Sequence, residues 1–405
     1  MPLIQPFRGL RPAEGRAEEV AAPPYDVLSS SEARERATAQ QLSFLHISKA
    51  EIDLPVDTDP YAAAVYAKSA ENFQRLIAHG ILIRDAAPCY YAYRLTMGDH
   101  EQTGIVAVAS VADYNSNRIR KHEFTRPDKE DDRVRQIEAL SAQTGPVLLA
   151  YPDSARADAL ISSATDKPPI AEASFDGVRH TVWLIDDADI IAGLNATFDA
   201  MPNLYIADGH HRSAAASRVA AAHAGTAGAG YFLSVIFPAH QMRIMDYNRV
   251  VRDLNGLSPD DFLDSVGKRF SICPAASRVR PEKPGVIGMY LSGRWYRLEI
   301  DPTLIPVDDP VRRLDVSLLS EQLLAPILGI GDLRRDKRID FVGGIRGLTE
   351  LEQRVDSGEM AVAFAMHATQ MSDLMAVADS GQVMPPKSTW FEPKLADGLV
   401  SHIID

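Results

Sequence analysis

LYIADGHHRSAAASR, residues 204–218, is the stretch on which the reading of the fold turns. Residues 204–207 are apolar and read as a short buried strand ending at Asp208, Gly209 permits a sharp reversal, and residues 212–224 are rich in helix formers. A strand that runs straight into a helix belongs to a chain that alternates the two, not to an all-α or all-β one. The first turn of such a helix carries backbone N–H groups without intrahelical partners, and that positive end attracts anions. His210 and His211 add titratable donors there, and Arg212 adds a permanently charged fork matched to phosphoryl oxygens. Asp208 is placed to cap the helix, fix a histidine tautomer or reach a cation. Taken alone, the same residues also read as an Asp-Gly turn with solvent-facing histidines.

Working outward, the pattern repeats. Residues 62–79 have helical periodicity, and 89–97 and 103–114 read as strands of a hairpin turning at 98–100. A helix at 128–144, a strand at 146–151, a helix at 153–163, a strand at 180–185 and a helix at 188–200 follow. Beyond the central stretch lies a buried-type strand at 231–237, with 242–252 as its expected partner. After residue 258 come a helix at 259–269, a hairpin at 286–291 and 295–300, a helix at 316–328 and strands at 339–342 and 360–367. The expected fold class is α/β (α+β). A division near 255 gives a phosphate-binding core in 1–255 and a C-terminal α/β region in 256–405, whose last loop, 384–400, returns toward the cleft.

The chain has 405 residues, with 42 Lys+Arg against 55 Asp+Glu and a formal charge of −13. That balance disfavours direct nucleic-acid binding and anionic membranes, and favours small metabolites as partners. A homo-oligomer stays open. Cys89 and Cys273 form no paired spacing and read as reduced core thiols. The opening residues lack a basic and apolar signal pattern and the apolar runs are short, which points to the cytoplasm. The P-loop, Gly-x-Gly-x-x-Gly and Gly-x-Ser-x-Gly patterns are not found.

Three further clusters carry chemistry. Residues 117–136, NRIRKHEFTRPDKEDDRVRQ, place Lys121, His122 and Glu123 on a connection, where a histidine beside a glutamate offers an acid and a base. The acidic run after it, followed by Arg133 and Arg135, reads as a solvated helix face. Residues 384–400, MPPKSTWFEPKLADGLV, hold Lys387, Thr389 and Lys394 on a proline-stiffened loop. Near the N-terminus, PFRGLRP and APPYDVLS supply Arg8, Tyr25 and Asp26 as candidate substrate contacts.

PFRGLRP (6–12), APPYDVLS (22–29), SFLHI (43–47), KHEFT (121–125), ADGHHR (207–212) and KSTWFEPKL (387–395) together resemble the bacterial and archaeal domain of unknown function ten-fifteen. That family in turn resembles the ParB/sulfiredoxin-like superfamily, whose strand-turn-helix box holds nucleotide phosphates and which includes free serine kinases. Gly209, His211 and Arg212 match the box, while Ser213 stands where many family members carry an aromatic. The resemblance implies a ParB/sulfiredoxin-like core that binds ATP or ADP with Mg²⁺ and phosphorylates a small alcohol such as L-serine. In that reading Gly209, His210, His211, Arg212, Lys121, Lys387 and Thr389 hold phosphate. Glu123, aided by His122, accepts the substrate proton, and Asp208 orients a histidine or touches Mg²⁺. Two other readings remain: a non-enzymatic nucleotide or metabolite regulator, and a metal-dependent hydrolase using Asp208, His210 and His211.

Overall fold

The computed structural model describes residues 1–405, apart from the side chain of Ala227, and the chain forms two units. Met1–Met242 and Pro393–Asp405 make the first, and Arg243–Glu392 the second. The boundary falls before 255 because Tyr247–Val251 does not pair with the 231–237 strand as expected. It pairs with Ile339–Gly343 and Val362–Ala365 inside the second unit.

A nine-stranded mixed sheet carries the first unit. Its strands are β1 (Ile4–Gln5), β2 (Tyr90–Met97), β3 (His100–Ser110), β4 (Ile119–Arg120), β5 (Val147–Tyr151), β6 (Ala171–Phe175), β7 (Val178–Ile185), β8 (Leu204–Asp208) and β9 (Tyr231–Pro238). The order is β4-β8-β5-β9-β3-β2-β7-β6, with β1 also on β3. β2 and β3 form the expected hairpin, Met97 facing His100 across Gly98 at φ +61°. β3 stops at Ser110, earlier than expected, because the Ser110 hydroxyl accepts from the Asp113 amide and starts the helix Val111–Asn115. β6 was not expected. The signal for it is Asp176-Gly177, both at positive φ, which joins β6 to β7 as a tight hairpin.

Tyr90, Ile105, Leu149, Ile206, Phe232 and Ile236 project from these strands into one apolar cluster with Leu194 and Phe198 of the helix Ala188–Asp199. Helices α1 (Ser30–Ala37), α2 (Ala63–Ala78) and α3 (Pro127–Leu140) follow in the same unit, and α1 and α2 share a second cluster around Phe44 and Phe73. α3 ends at Ser141, whose left-handed φ of +49° stops it short of Gly145. It packs against α4 (His210–Ala222) through Ile137, Ala215 and Val219.

The second unit is built on a six-stranded antiparallel sheet of β10 (Tyr247–Val251), β11 (Phe270–Ala275), β12 (Val286–Leu291), β13 (Arg294–Ile300), β14 (Ile339–Gly343) and β15 (Val362–Ala365). Their order is β11-β13-β12-β15-β10-β14. β11 escaped the sequence reading because it contains Pro274, which its edge position tolerates. Cys273 on that edge is exposed, contrary to the expectation of a core thiol, whereas Cys89 is buried. The helix expected at 316–328 is shorter, Asp315–Leu319, and widens into a π turn at Ser320–Leu324. No helix among the described residues is long and apolar enough to cross a membrane.

Where β3 meets β9, a Cβ on Gly104 would lie 2.4 Å from the Ile236 carbonyl oxygen, a backbone atom that cannot swing aside. Gly104→Ala is therefore expected to destabilise the first unit by roughly 1–3 kcal/mol, read as a lowered melting temperature. An unchanged melting temperature would show that the two strands can part without cost.

Candidate functional site

Strand register assembles the site. β4 runs parallel to β8, with Arg120 opposite Tyr205, so the residues after each strand emerge at the same sheet edge. β5 runs antiparallel to β8, with Leu148 opposite Asp208, which brings the segment before β5 to that edge as well. KHEFT, ADGHHR and Thr144-Gly145-Pro146 are thereby neighbours, although they lie far apart in sequence. Gly209 makes the turn at φ +96°, and a Cβ there would sit 3.1 Å from Arg212 Nε and 3.3 Å from Val147 Cα. Both facts require glycine.

α4 opens at His210 rather than at Arg212, so both histidines lie within the first turn instead of before it. Its N-cap is Gly209, which has no side chain to cap this end. The Ser213 amide bonds back to the Gly209 carbonyl at 3.0 Å, which leaves the amides of His210, His211 and Arg212 as the orphan donors of the helix.

The histidines are neutral scaffolding. The His122 amide donates to His210 Nε2 at 3.4 Å, and the two rings meet edge to face at 4.5 Å. The Arg126 amide donates to His211 Nε2 at 3.0 Å. A ring nitrogen that accepts leaves the proton on Nδ1, and His210 Nδ1 stands 3.8 Å from Glu123 Oε2. Burial holds His122 down at about 4, pushes His210 well below its ordinary value and lowers His211.

The permanent charges come from elsewhere. Arg212 donates to the Pro146 carbonyl and lies 3.7 Å from Asp208 and 3.8 Å from Asp26. Lys394 donates to the other oxygen of Asp208 at 3.2 Å. Burial pushes the Asp208 carboxyl up, but Lys394 and Arg212 outweigh it and hold the group below the usual carboxylate range. Ala22 and Asp397 exchange backbone hydrogen bonds of 3.1 and 2.9 Å, which pins the N-terminal Tyr25 and Asp26 beside the C-terminal Asp397.

Asp397 is 2% exposed. Burial raises its carboxyl to about 7, with Asp26 adding and Arg212 and Arg133 pulling the other way. Arg133 stacks on the Tyr25 ring at 3.8 Å and pairs with Asp132 at 2.7 Å, and Asp132 accepts from the Tyr66 hydroxyl at 2.8 Å. Tyr25, Arg133, Thr144, Gly145, Arg212 and Asp397 help to line a cavity of about 30 Å³, room for one or two waters.

The structure thus brings together Glu123, His122, Asp208, Gly209, His210, His211, Arg212, Tyr25 and Asp26. It places Lys121 over the Tyr114 ring at 3.9 Å, where burial lowers its pKa. Arg8 donates to the Asp85 carbonyl on the surface. Lys387 and Thr389 belong to the second unit, where the Lys387 carbonyl accepts from Arg249. The lysine of that motif bonded to Asp208 is Lys394. Asp132, Arg133 and Asp397 were missed. Asp132 is buried and Arg133 half-buried, not on the solvated helix face expected of them, and for Asp132 the signal was its spacing with Gln136 and Leu140 along one buried stripe of α3.

Residues 4–317 match the family described as Protein of unknown function (DUF1015), and the chain belongs to that family. No curated relative matches it. Among solved structures it is similar to a conserved hypothetical protein from Pyrococcus furiosus, at 14% identity and a TM-score of 0.36 over 72% of this chain and 93% of that one. It is also similar to a free serine kinase variant in complex with AMP, at 12% identity and a TM-score of 0.38 over 71% and 87%. A third is C-terminally truncated SbnI from Staphylococcus aureus, at 12% and 0.38 over 72% and 85%.

The buried carboxyl gives a pH test. With a folded pKa near 7 against about 4 in the unfolded chain, Asp397 keeps its proton longer when folded, so its ionisation lowers stability as pH rises from 4 to 7 and adds nothing further above that. Relative to Asp397→Asn, the wild type is expected to lose up to about 4 kcal/mol across that window, read from denaturation at pH 4.5 and 7.5. A constant difference between the two proteins would place the Asp397 pKa at its ordinary value.

Proposed function

We propose that the chain is a nucleotide-dependent phosphotransferase acting on a small hydroxyl-bearing metabolite, with free L-serine as the first acceptor to test. The observation that carries the reading is the glycine-opened first turn of α4, whose amides lack intrahelical partners and lie beside the fixed guanidinium of Arg212 at a shared sheet edge. A terminal phosphoryl group seated there meets N–H donors whose positions are already fixed, and such preorganised donors stabilise charge as it spreads over the equatorial oxygens. Lys394 keeps Asp208 neutralised, so that its carboxylate does not repel the incoming phosphate. Glu123 is about half exposed and lies near His210. It accepts the proton of the acceptor hydroxyl while the hydroxyl oxygen bonds to phosphorus and the bond to the nucleotide's leaving oxygen breaks.

The expected Mg²⁺ finds a poor protein ligand in Asp208, whose two oxygens face Lys394 and Arg212. In this proposal a divalent cation is carried by the nucleotide's own phosphates, and no step depends on Asp208 as a metal ligand. The hydrolase reading is disfavoured on the same geometry. Asp208, His210 Nε2 and His211 Nε2 each face a different partner instead of converging on one point.

Purified protein incubated with ATP or ADP and a panel of hydroxyl amino acids and small alcohols is expected to yield a phosphorylated product by mass spectrometry. Glu123→Gln should leave nucleotide affinity intact and slow transfer by roughly 10²–10⁴-fold. Nucleotide binding without turnover in either form would favour the regulator, and absence of both binding and product would dismiss the proposal.

A further inference from the structure

Asp397 closes on Arg212 across Gly145. A Cβ on Gly145 would lie 3.4 Å from Arg212 Cδ and 3.6 Å from Asp397 Oδ1, so the carboxylate and the side chain offered to phosphate flank one point. Both belong to the interior, Asp397 at 2% exposure and the Arg212 side chain at 10%. The phosphoryl transfer described above gives Asp397 no task. A carboxyl buried against the one guanidinium that meets the ligand nevertheless acts on that ligand through its charge.

The groups that face it come from every neighbouring element. The N-terminal segment brings Tyr25 and Asp26, α3 brings Asp132 and Arg133, β8 and α4 bring Asp208 and Arg212, and the C-terminal segment brings Lys394. Lys394 is bonded to Asp208 at 3.2 Å, Arg133 pairs with Asp132 at 2.7 Å, and Arg212 is shared between Asp26 and Asp208. Tyr25 adds no charge, its hydroxyl being pushed up to about 12 by burial, and burial keeps His210 and His211 neutral. With Asp397 ionised, the carboxylates of Asp26, Asp132, Asp208 and Asp397 therefore outnumber the cations Arg133, Arg212 and Lys394.

An arriving anion adds to that excess. At an effective dielectric of about 20, one negative charge roughly 7 Å away raises a carboxyl pKa by more than a unit. Asp208 is a poor place for a compensating proton, because Lys394 and Arg212 hold it below the usual carboxylate range. Asp397 is the ready one, since burial already lifts it to about 7. The cavity of about 30 Å³ that it shares with Arg212, Tyr25 and Arg133 has room for a water to carry the proton in.

We propose that Asp397 is a positioning residue of the phosphate corner, which takes up a proton as the anion arrives and so frees Arg212 from an opposing carboxylate. The inference rests on the reading of the first turn of α4 as a phosphate cradle, and it adds how that cradle responds to pH. Affinity for an anion falls as pH rises through neutrality, because above it the Asp397 proton must be recovered from solvent.

Isothermal titration of the full-length protein with sulfate tests it, since sulfate has no proton of its own to exchange here, whereas a phosphate ester titrates at about 6. The wild type is expected to bind sulfate about fivefold or more tightly at pH 6 than at pH 8.5. At pH 7.5 the binding enthalpy should vary with the ionisation enthalpy of the buffer, corresponding to roughly half a proton taken up per anion. Asp397→Asn, a stand-in for the protonated acid, should abolish that uptake and bind at pH 8.5 as tightly as the wild type does at pH 6. Mere structural damage would weaken binding instead of strengthening it. Sulfate that binds without proton uptake, or with the same uptake in Asp397→Asn, would overturn the role of Asp397 and leave the phosphate cradle standing. Failure of sulfate to bind at either pH would overturn it together with the claim that this turn holds an anion.

Discussion

The guanidinium of Arg212 is the charge around which the first unit closes. Its side chain is only 10% exposed, and a buried cation persists only where carboxylates and carbonyls surround it. Those partners come from every direction: Asp208 from the strand before it, Pro146 from the neighbouring connection, and Asp26 from the N-terminal segment. The backbone bridge between Ala22 and Asp397 then draws the C-terminal residues into the same place. Removing the charge would leave Asp26, Asp208 and Asp397 facing one another with less to offset them.

A division of labour follows. Arg212 and Lys394 hold fixed positive charge, while His122 is kept neutral by burial, and His210 and His211 by burial and by the amides that donate to them. The histidines therefore shape the corner and space its donors, and the electrostatic pull on an anion comes from the helix end and from Arg212. A protein of strongly negative overall charge can hold a phosphate this way, because the field inside a cleft is set by the nearest groups.

Much of this was legible in the sequence. The apolar run before Asp208, the glycine and the helix formers after it carry local signals, and the strand, turn and helix formed where those signals lie, with the helix opening two residues early because Gly209 alone makes the reversal. The KHEFT connection was also visible, but its contact with ADGHHR depends on the parallel pairing of β4 and β8, a long-range fact that no local pattern encodes. Asp397 and Arg133 could not be read as site residues, since what marks them is burial beside distant charges. Tyr247–Val251 was assigned to the wrong sheet because two apolar strands adjacent in sequence commonly pair, and the choice between sheets is made by partners about a hundred residues away.

The central claim is that the first turn of α4 holds a phosphate chain. A crystal structure of the protein grown with ADP tests it most directly. The account predicts a phosphate oxygen within about 3 Å of the amides of His210, His211 or Arg212, with the Arg212 guanidinium beside it. An ADP whose phosphates lie elsewhere, leaving that turn to solvent, would contradict it.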